Sequence, residues 1–272
     1  EVLIIDNASV DGSVEYLQKE WCGEGVRLIL YRKTPDSVMR ESGIREAKTP
    51  YVILLNNDTK AEAGFVRGLY DAIREMKDIF RQCEDADVGQ TGAIDDAGDR
   101  YCVLGWAYSR GKGRPAADYD KSVPVFPPVA VPQSTDDPYL KDRLFDEEHF
   151  AYLEDLDIGY RARIYGYENR YEPKAAVLHY GSASTGSRYN PRKTLLASAN
   201  SIYVIGKNMP LLRCILTLPF FLLGFGIKFL FFCKKRMGKL YLKGLAAGLK
   251  RSVGTKEDST KFPSGGIIWE IM

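Results

Sequence analysis

The sequence predicts an α/β fold built on an open, mostly parallel sheet with helices on both faces. Three observations carry that expectation. Short apolar runs alternate with segments of helical periodicity, the pattern of successive strand–helix–strand units. The runs break off abruptly at polar clusters, at Asp6-Asn7 and at Asn56-Asn57-Asp58. Phe65, Leu69, Ala72, Ile73, Met76 and Phe80 recur at three- and four-residue intervals, which marks an amphipathic helix over 65–80.

Taken in order, residues 1–6 read as a short strand ending at the turn cluster Asp6-Asn7-Ala8-Ser9. Asp11-Gly12-Ser13 opens a helix to about Glu20, with Ser13 or Asp11 as its cap. Residues 26–31 form a second strand, 37–47 a helix, and 51–55 a third buried strand cut off by Asn56-Asn57-Asp58-Thr59. Parallel sheets bind ligands at the carboxyl ends of their strands, and both polar clusters fall there. From Gln90 to Pro138 Gly, Pro and Asp are frequent, and only short strands such as 101–106 are expected. A helix over 147–165 and a short strand over 175–179, ending at His179-Tyr180-Gly181-Ser182, follow.

Residues 211–233 are strongly apolar, although Arg213, Pro219 and Lys228 interrupt them. The stretch is long enough to span a bilayer, which takes about 20 residues. Its charges and proline fit an in-plane or re-entrant helix pair equally well. Lys234-Lys235-Arg236 follows at once and would face the cytoplasm. Residues 238–249 read as a basic amphipathic helix.

Composition narrows the function. The 272 residues include 38 basic and 36 acidic ones, a formal charge of +2, which carries no nucleic-acid signature. The basic tail beside an apolar stretch points to an anionic membrane surface. Five cysteines without ligand spacing speak against a disulfide framework or a zinc site, and for a reducing compartment. No signal-peptide pattern opens the chain, and residue 1 already stands in a strand, as in a chain numbered from within a longer protein.

The chemistry-bearing residues are oxygen-rich. A carboxylate at a strand end, such as Asp58, can hold Mg2+ or Mn2+ against a diphosphate leaving group. Asn and Asp also favour ordinary turns, so the triplet by itself reads both ways. His179, one of two histidines, could complete a metal shell or be simply hydrogen-bonded structure. Glu154-Asp155 lies among Phe150, Leu153 and Leu156, and a carboxylate flanked by apolar groups is raised in pKa and suited to act as a general base. Residues 7–12 imitate the start of an EF-hand loop, but the last position would be Gln18 and a strand precedes it.

These segments, in this order, resemble glycosyltransferase family 2, and especially its rhamnosyltransferase-like, polysaccharide-building branch. The resemblance rests on Val2–Ser13, Tyr51–Thr59, Phe145–Arg161, Gly166-Tyr167 and Pro173–Ser182. It implies a GT-A fold, a Rossmann-like nucleotide-sugar domain with a mixed sheet over 1–205. A membrane-associating helical tail over 206–255 and a terminal segment 256–272 complete the expected division. It implies an inverting, divalent-metal-dependent transfer from dTDP-rhamnose or a UDP-sugar to a saccharide, lipid-linked in cell-surface polysaccharide synthesis, at the cytoplasmic face of the membrane. Asp155 is then the catalytic base with Glu154 beside it. Asp58 and His179 hold Mg2+ or Mn2+. Asp6, Asn7, Ser9, Arg40, Asn57 and Asp58 line the nucleotide-sugar site.

The sequence also departs from that pattern. The family's first strand and its turn would precede residue 1. Glu41 follows Arg40 where the family has Asn, bringing a negative charge to the nucleotide side. Pro127–Pro132 and Ser134–Pro138 replace a Gly/Ala-rich acceptor-side stretch, and Ala199-Asn200 replaces an Arg-Asn pair that could touch a phosphate. These departures motivate a rival reading, a catalytically impaired membrane-bound remnant or scaffold. A nucleotidyltransferase would need a Gly-rich phosphate loop near the first strand, which the chain does not display.

Overall fold

The computed structural model describes residues 1–32, 34–75, 79–87, 93–125, 130–132, 144–164, 167–180 and 190–254. The Ser134–Pro138 stretch, Gly166, Gly181-Ser182 and the tail 256–272 lie outside those residues, as do residues 127–129 of Pro127–Pro132.

Strand β1 (Val2–Asp6) pairs in parallel with β2 (Val26–Leu30), from Val2 opposite Val26 to Asp6 opposite Leu30. Helix α1 (Ser13–Glu20) joins them. Its N-cap is Gly12, at φ 86°, and not Ser13 or Asp11. The left-handed backbone favours glycine, and Asp11 instead accepts from the Ser13 amide and hydroxyl just outside the helix.

Helix α2 (Asp36–Glu46) sits between this pair and the main sheet. A Cβ on Gly43 would stand 3.3 Å from the Ile5 side chain, so the helix rides close on β1. Ile44 buries against Leu144, Phe145, Ile158 and Ala162, with Val52 and Leu54 alongside.

The main sheet runs β3 (Tyr51–Ile53), β9 (Ala130–Pro132), β5 (Ile79–Asp87), β10 (Glu168–His179), β4 (Thr59–Ala61), with β6 (Ile94–Asp96) on β5. Among the described residues, β5 and β10 are its one parallel pair, and the other pairings are antiparallel. The sheet is therefore mixed. Helix α3 (Phe65–Glu75) covers one face, burying Phe65, Leu69 and Ile73 against Ala175 and Val177.

Three elements differ from expectation. Ile79 and Phe80, read as the end of a helix, begin β5, because a nine-residue parallel pairing with β10 overrides the local 3.6-residue period. The helix expected over 147–165 is broken. A 3-10 turn (Glu147–His149) and a strained loop precede α4 (Glu154–Ile164). The strand expected over 101–106 is a hairpin, β7 (Asp99–Cys102) and β8 (Trp106–Ser109), turning at Gly105 with φ 83°.

Helices α5 (Pro191–Asn208), α6 (Leu211–Lys234) and α7 (Gly238–Gly254) close the described chain. Helix α6 continues through Pro219 and is long and apolar enough to cross a membrane. One stripe is buried: Phe221, Gly224 and Phe225 pack on the β7–β8 turn, and Thr217 lies against Met209. The opposite side leaves Leu211, Leu212, Ile215, Leu216, Leu222, Leu223 and Leu230 exposed. The core between tail and sheet domain is formed by Tyr101, Leu156, Tyr160, Val204, Met209 and Tyr241, among others.

Candidate active site

The register between β10 and β4 places His179 opposite Thr59, one residue beyond Asp58. The Tyr180 amide then donates to the Asp58 carbonyl at 2.9 Å. As a result His179 Nε2 faces Asp58 Oδ2 at 3.4 Å, although 121 positions separate them in sequence by simple subtraction. Two ligands at right angles on a cation with bonds of about 2.1 Å stand about 3 Å apart, so the pair fits one Mg2+ or Mn2+.

The other ring nitrogen is also fixed. His179 Nδ1 lies 3.1 Å from Asp95 Oδ2, and Lys112 sits on Asp95 Oδ1. A carboxylate on one nitrogen sets the tautomer that leaves the other nitrogen available as a ligand. Burial pushes the Asp95 carboxyl up, but Lys112 and His179 outweigh it and hold it below its ordinary value. Neither Asp95 nor Lys112 was legible as part of a site. Both lie in the Gly- and Asp-rich stretch where periodicity fails, and only β6 pairing on β5 brings Asp95 to the strand end.

A second group of acids faces this edge from α4. Glu154 is 7% exposed, and its Oε1 lies 3.7 Å from Arg40 Nη2. Arg40 in turn donates to Asn56 Oδ1 at 3.2 Å, which ties the α4 terminus to the loop carrying Asp58. Burial pushes the Glu154 carboxyl up, the neighbouring Asp155 charge adds to it, and Arg40 opposes both. Glu154 Oε2 is buried with no hydrogen-bond partner. Asp155 is half-buried and accepts from the Leu156 amide at 2.7 Å. Asp99, on β7, is raised to about 6 by burial first and by the Asp155 charge second. Electrostatic coupling therefore links Asp155 to Asp99, and Asp99 to Asp95 and Lys112.

The remaining expected residues behave differently. Asp6 is buried and accepts from the Ser9 amide at 3.1 Å. Asn7 is bound on both sides to Thr34, accepting from its amide and donating to its carbonyl. Ser9 and Asn57 are exposed. Glu41 is held by its neighbours. Its Oε2 accepts from the amides of Leu144 and Phe145 at 3.0 and 3.1 Å, and Oε1 meets Arg45. Asn200 is fully buried and spends its amide on three carbonyls of the 149–152 loop.

That loop is unusual. Phe150, Tyr152 and Leu153 all have positive φ, at 57°, 70° and 66°. Such backbone costs about 1–3 kcal/mol per non-glycine residue and persists only where surroundings fix it. It turns the chain sharply into Glu154 and Asp155.

One more Asp–His group, Asp146, His149 and Asp157, has ligand atoms all within 4.8 Å of one another. It too is within metal-ligand range, but it already contains its own cations. Lys207 Nζ lies 2.6 Å from Asp146 and 3.0 Å from Asp157, Arg161 Nε 2.9 Å from Asp157, and Asn208 donates to Asp157 at 2.6 Å. Burial pushes Asp157 up, yet Arg161 and Lys207 outweigh it and keep its carboxyl well below the usual range. Its two carboxylates are balanced by two side-chain cations, so an added metal would have to displace Lys207.

The described sheets and flanking helices form the GT-A architecture that the resemblance implies. Staphylococcus aureus TarS 1–349 in complex with UDP-GlcNAc aligns with a TM-score of 0.59 at 14% identity, over 93% of this chain and 72% of that one. GalNAc-T7 with UDP, GalNAc and Mn2+ aligns with a TM-score of 0.56 at 14% identity, over 76% of this chain and 41% of that one. At such identity the likeness is one of fold. In sequence, a 60-residue stretch is 42% identical to N-acetylglucosaminyl-diphospho-decaprenol L-rhamnosyltransferase of Mycobacterium tuberculosis, in strains CDC 1551 / Oshkosh and ATCC 25618 / H37Rv. The stretch is 22% of this chain, and the chain spans about a fifth of the length of those curated relatives, 19% of each. No protein-family profile matches the chain.

Proposed function

We propose that this chain is an inverting glycosyltransferase that moves a sugar from a nucleotide-diphosphate donor to a saccharide hydroxyl. The observation that carries the reading is the meeting of Asp58 and His179 at one sheet edge, with Glu154-Asp155 tied to the same loop through Arg40 and Asn56. A divalent cation on Asp58 and His179 would offset the charge that gathers on the departing diphosphate. Asp155 takes the proton of the acceptor hydroxyl as that oxygen attacks the anomeric carbon from the face opposite the leaving group. Arg40, between Glu154 and Asn56, adds positive charge to the diphosphate wall. Asp6 and Ser9 at the end of β1 fit the nucleoside side.

The donor is dTDP-rhamnose or a UDP-sugar. The rhamnosyl transfer named for the mycobacterial relatives supports the first, and the UDP-GlcNAc bound to TarS the second. Mn2+ in the GalNAc-T7 structure supports a divalent metal of that kind, with Mg2+ as the equivalent hard cation. The diphospho-decaprenol acceptor in the relatives' name supports a lipid-linked acceptor. The exposed apolar side of α6, followed by Lys234-Lys235-Arg236, supports docking at the cytoplasmic face of a membrane. In this reading residues 1–205 carry the transfer and 206–255 the membrane contact.

Asp155→Asn tests the mechanism. Turnover of a dTDP- or UDP-sugar should fall by ~10²–10⁴-fold with calorimetric donor binding retained, the usual contribution of a general base. Unchanged turnover removes Asp155 from the chemistry. A wild-type chain that binds neither nucleotide-sugar nor Mn2+ supports the impaired-remnant alternative instead.

A further inference from the structure

We propose that Arg251, on the last described helix, is a positioning residue for the loop that presents Glu154 and Asp155, so that α7 belongs to the active site as well as to the tail. This rests on the reading of Asp155 as the base. The strained residues Phe150, Tyr152 and Leu153 are fixed from behind by α5. Asn200 Nδ2 donates to the carbonyls of His149, Ala151 and Tyr152 at 2.8, 2.9 and 2.7 Å. An amide has two N–H bonds, so three carbonyls exhaust its donors and require its oxygen to face the other way.

That oxygen meets Arg251. Nη2 of Arg251 donates to Asn200 Oδ1 at 2.9 Å, and Nη1 donates to the carbonyl of Glu148. One guanidinium thus fixes the orientation of the clamping amide and grips the loop one residue before its first clamped carbonyl. The same guanidinium lies 5.2 Å from the Tyr203 ring, whose hydroxyl donates to Asp146 at the loop's start.

The reach of Arg251 depends on an unusually close helix pair. A Cβ on Gly248 would stand 2.2 Å from the Ala199 carbonyl oxygen, and one on Gly244 2.7 Å from that of Leu195. Ser252 fills the space over Gly206. Glycines on α7 therefore bring its backbone against α5 immediately beside Asn200. A helix serving only as a membrane anchor has no need of an arginine spanning Asn200 and Glu148.

Arg251→Ala and Arg251→Lys, in the full chain, test this. Amide exchange over 150–156 should accelerate in Arg251→Ala while β1 and β10 keep wild-type protection. Turnover should fall about 100-fold with donor KM within about twofold, since a displaced base is lost chemistry and not lost binding. Arg251→Lys, which can reach one acceptor but not fork across both, should recover part of the turnover. Exchange that changes in α7 but not over 150–156, or a donor KM that rises in step with falling turnover, overturns the proposal. A wild-type protein that transfers no sugar defeats the transferase reading by itself. Unaltered exchange over 150–156 defeats the clamp whether or not transfer is seen.

Discussion

Asp58, His179 and Asp95 form one set of two carboxylates and an imidazole; Asp146, His149 and Asp157 form another. In the first, the side chains of Asp58 and His179 are 20% and 23% exposed, and the ring has a carboxylate near each nitrogen. In the second, His149 and Asp157 are fully buried, and the ring stands 3.8 Å from Asp157, beyond hydrogen-bond reach. Among the described residues the first group includes one side-chain cation, Lys112, on the far oxygen of Asp95. The second includes Lys207 and Arg161, which cancel both acids. Residue type and spacing do not separate a cation site from an ion-pair lock. Counter-charge and exposure do.

The sharpest way to break this contrast is to remove Lys207. Lys207→Met leaves Asp157 with Arg161 as its cation and Asp146 with none beside the Tyr203 hydroxyl, and should cost about 3 kcal/mol, read as a lower denaturation midpoint, while Mn2+ affinity stays at the wild-type value. A gain in Mn2+ affinity there would place the metal in the buried group, whose two carboxylates Lys207 otherwise occupies. Asp58→Asn should do the reverse: transfer drops ~10²–10³-fold, Mn2+ binding weakens, and the midpoint hardly moves. Asp95→Asn separates holding the metal from aiming its ligand. Mn2+ affinity should fall about 10–100-fold through a freed His179 ring, and an unchanged affinity would make Asp95 a bystander.

The smallest expected effect lies between the groups. Asp99 is raised to about 6 in the folded chain, chiefly by burial, so its contribution to stability is present below pH ~4 and lost as pH rises through about 6. Asp99→Asn should therefore gain on the order of 1–2 kcal/mol over wild type at pH 8 and nothing at pH ~4. Equal denaturation midpoints for the two proteins at pH 8 would contradict this.

The sequence made the ends of β1 and β10 readable because short apolar runs stop at Asp6 and His179, and that local signal survives folding; Asp58 instead stands just before β4, five residues past the end of β3. It concealed what depends on distant partners. Strand β5 begins at Ile79-Phe80, where the spacing still obeys a helical period, and only pairing with residues 168–179 decides the matter. The break before Glu154 falls at Phe150, Tyr152 and Leu153, residues whose own preferences oppose positive φ; the deciding contact comes from Asn200, about 50 positions away. Asp95 and Lys112 stand in a stretch without periodicity. Glu41 likewise takes its place from distant chain, holding the Leu144 and Phe145 amides more than 100 positions away.

The chain contains two histidines, one in each Asp–His group, which allows a direct measurement. In protein labelled at histidine, with the signals assigned through His179→Gln, Mg2+ with UDP should shift the His179 ring resonance and trace Mn2+ should broaden it first, leaving His149 as it was. A shift or first broadening at His149, with His179 unmoved, would contradict this.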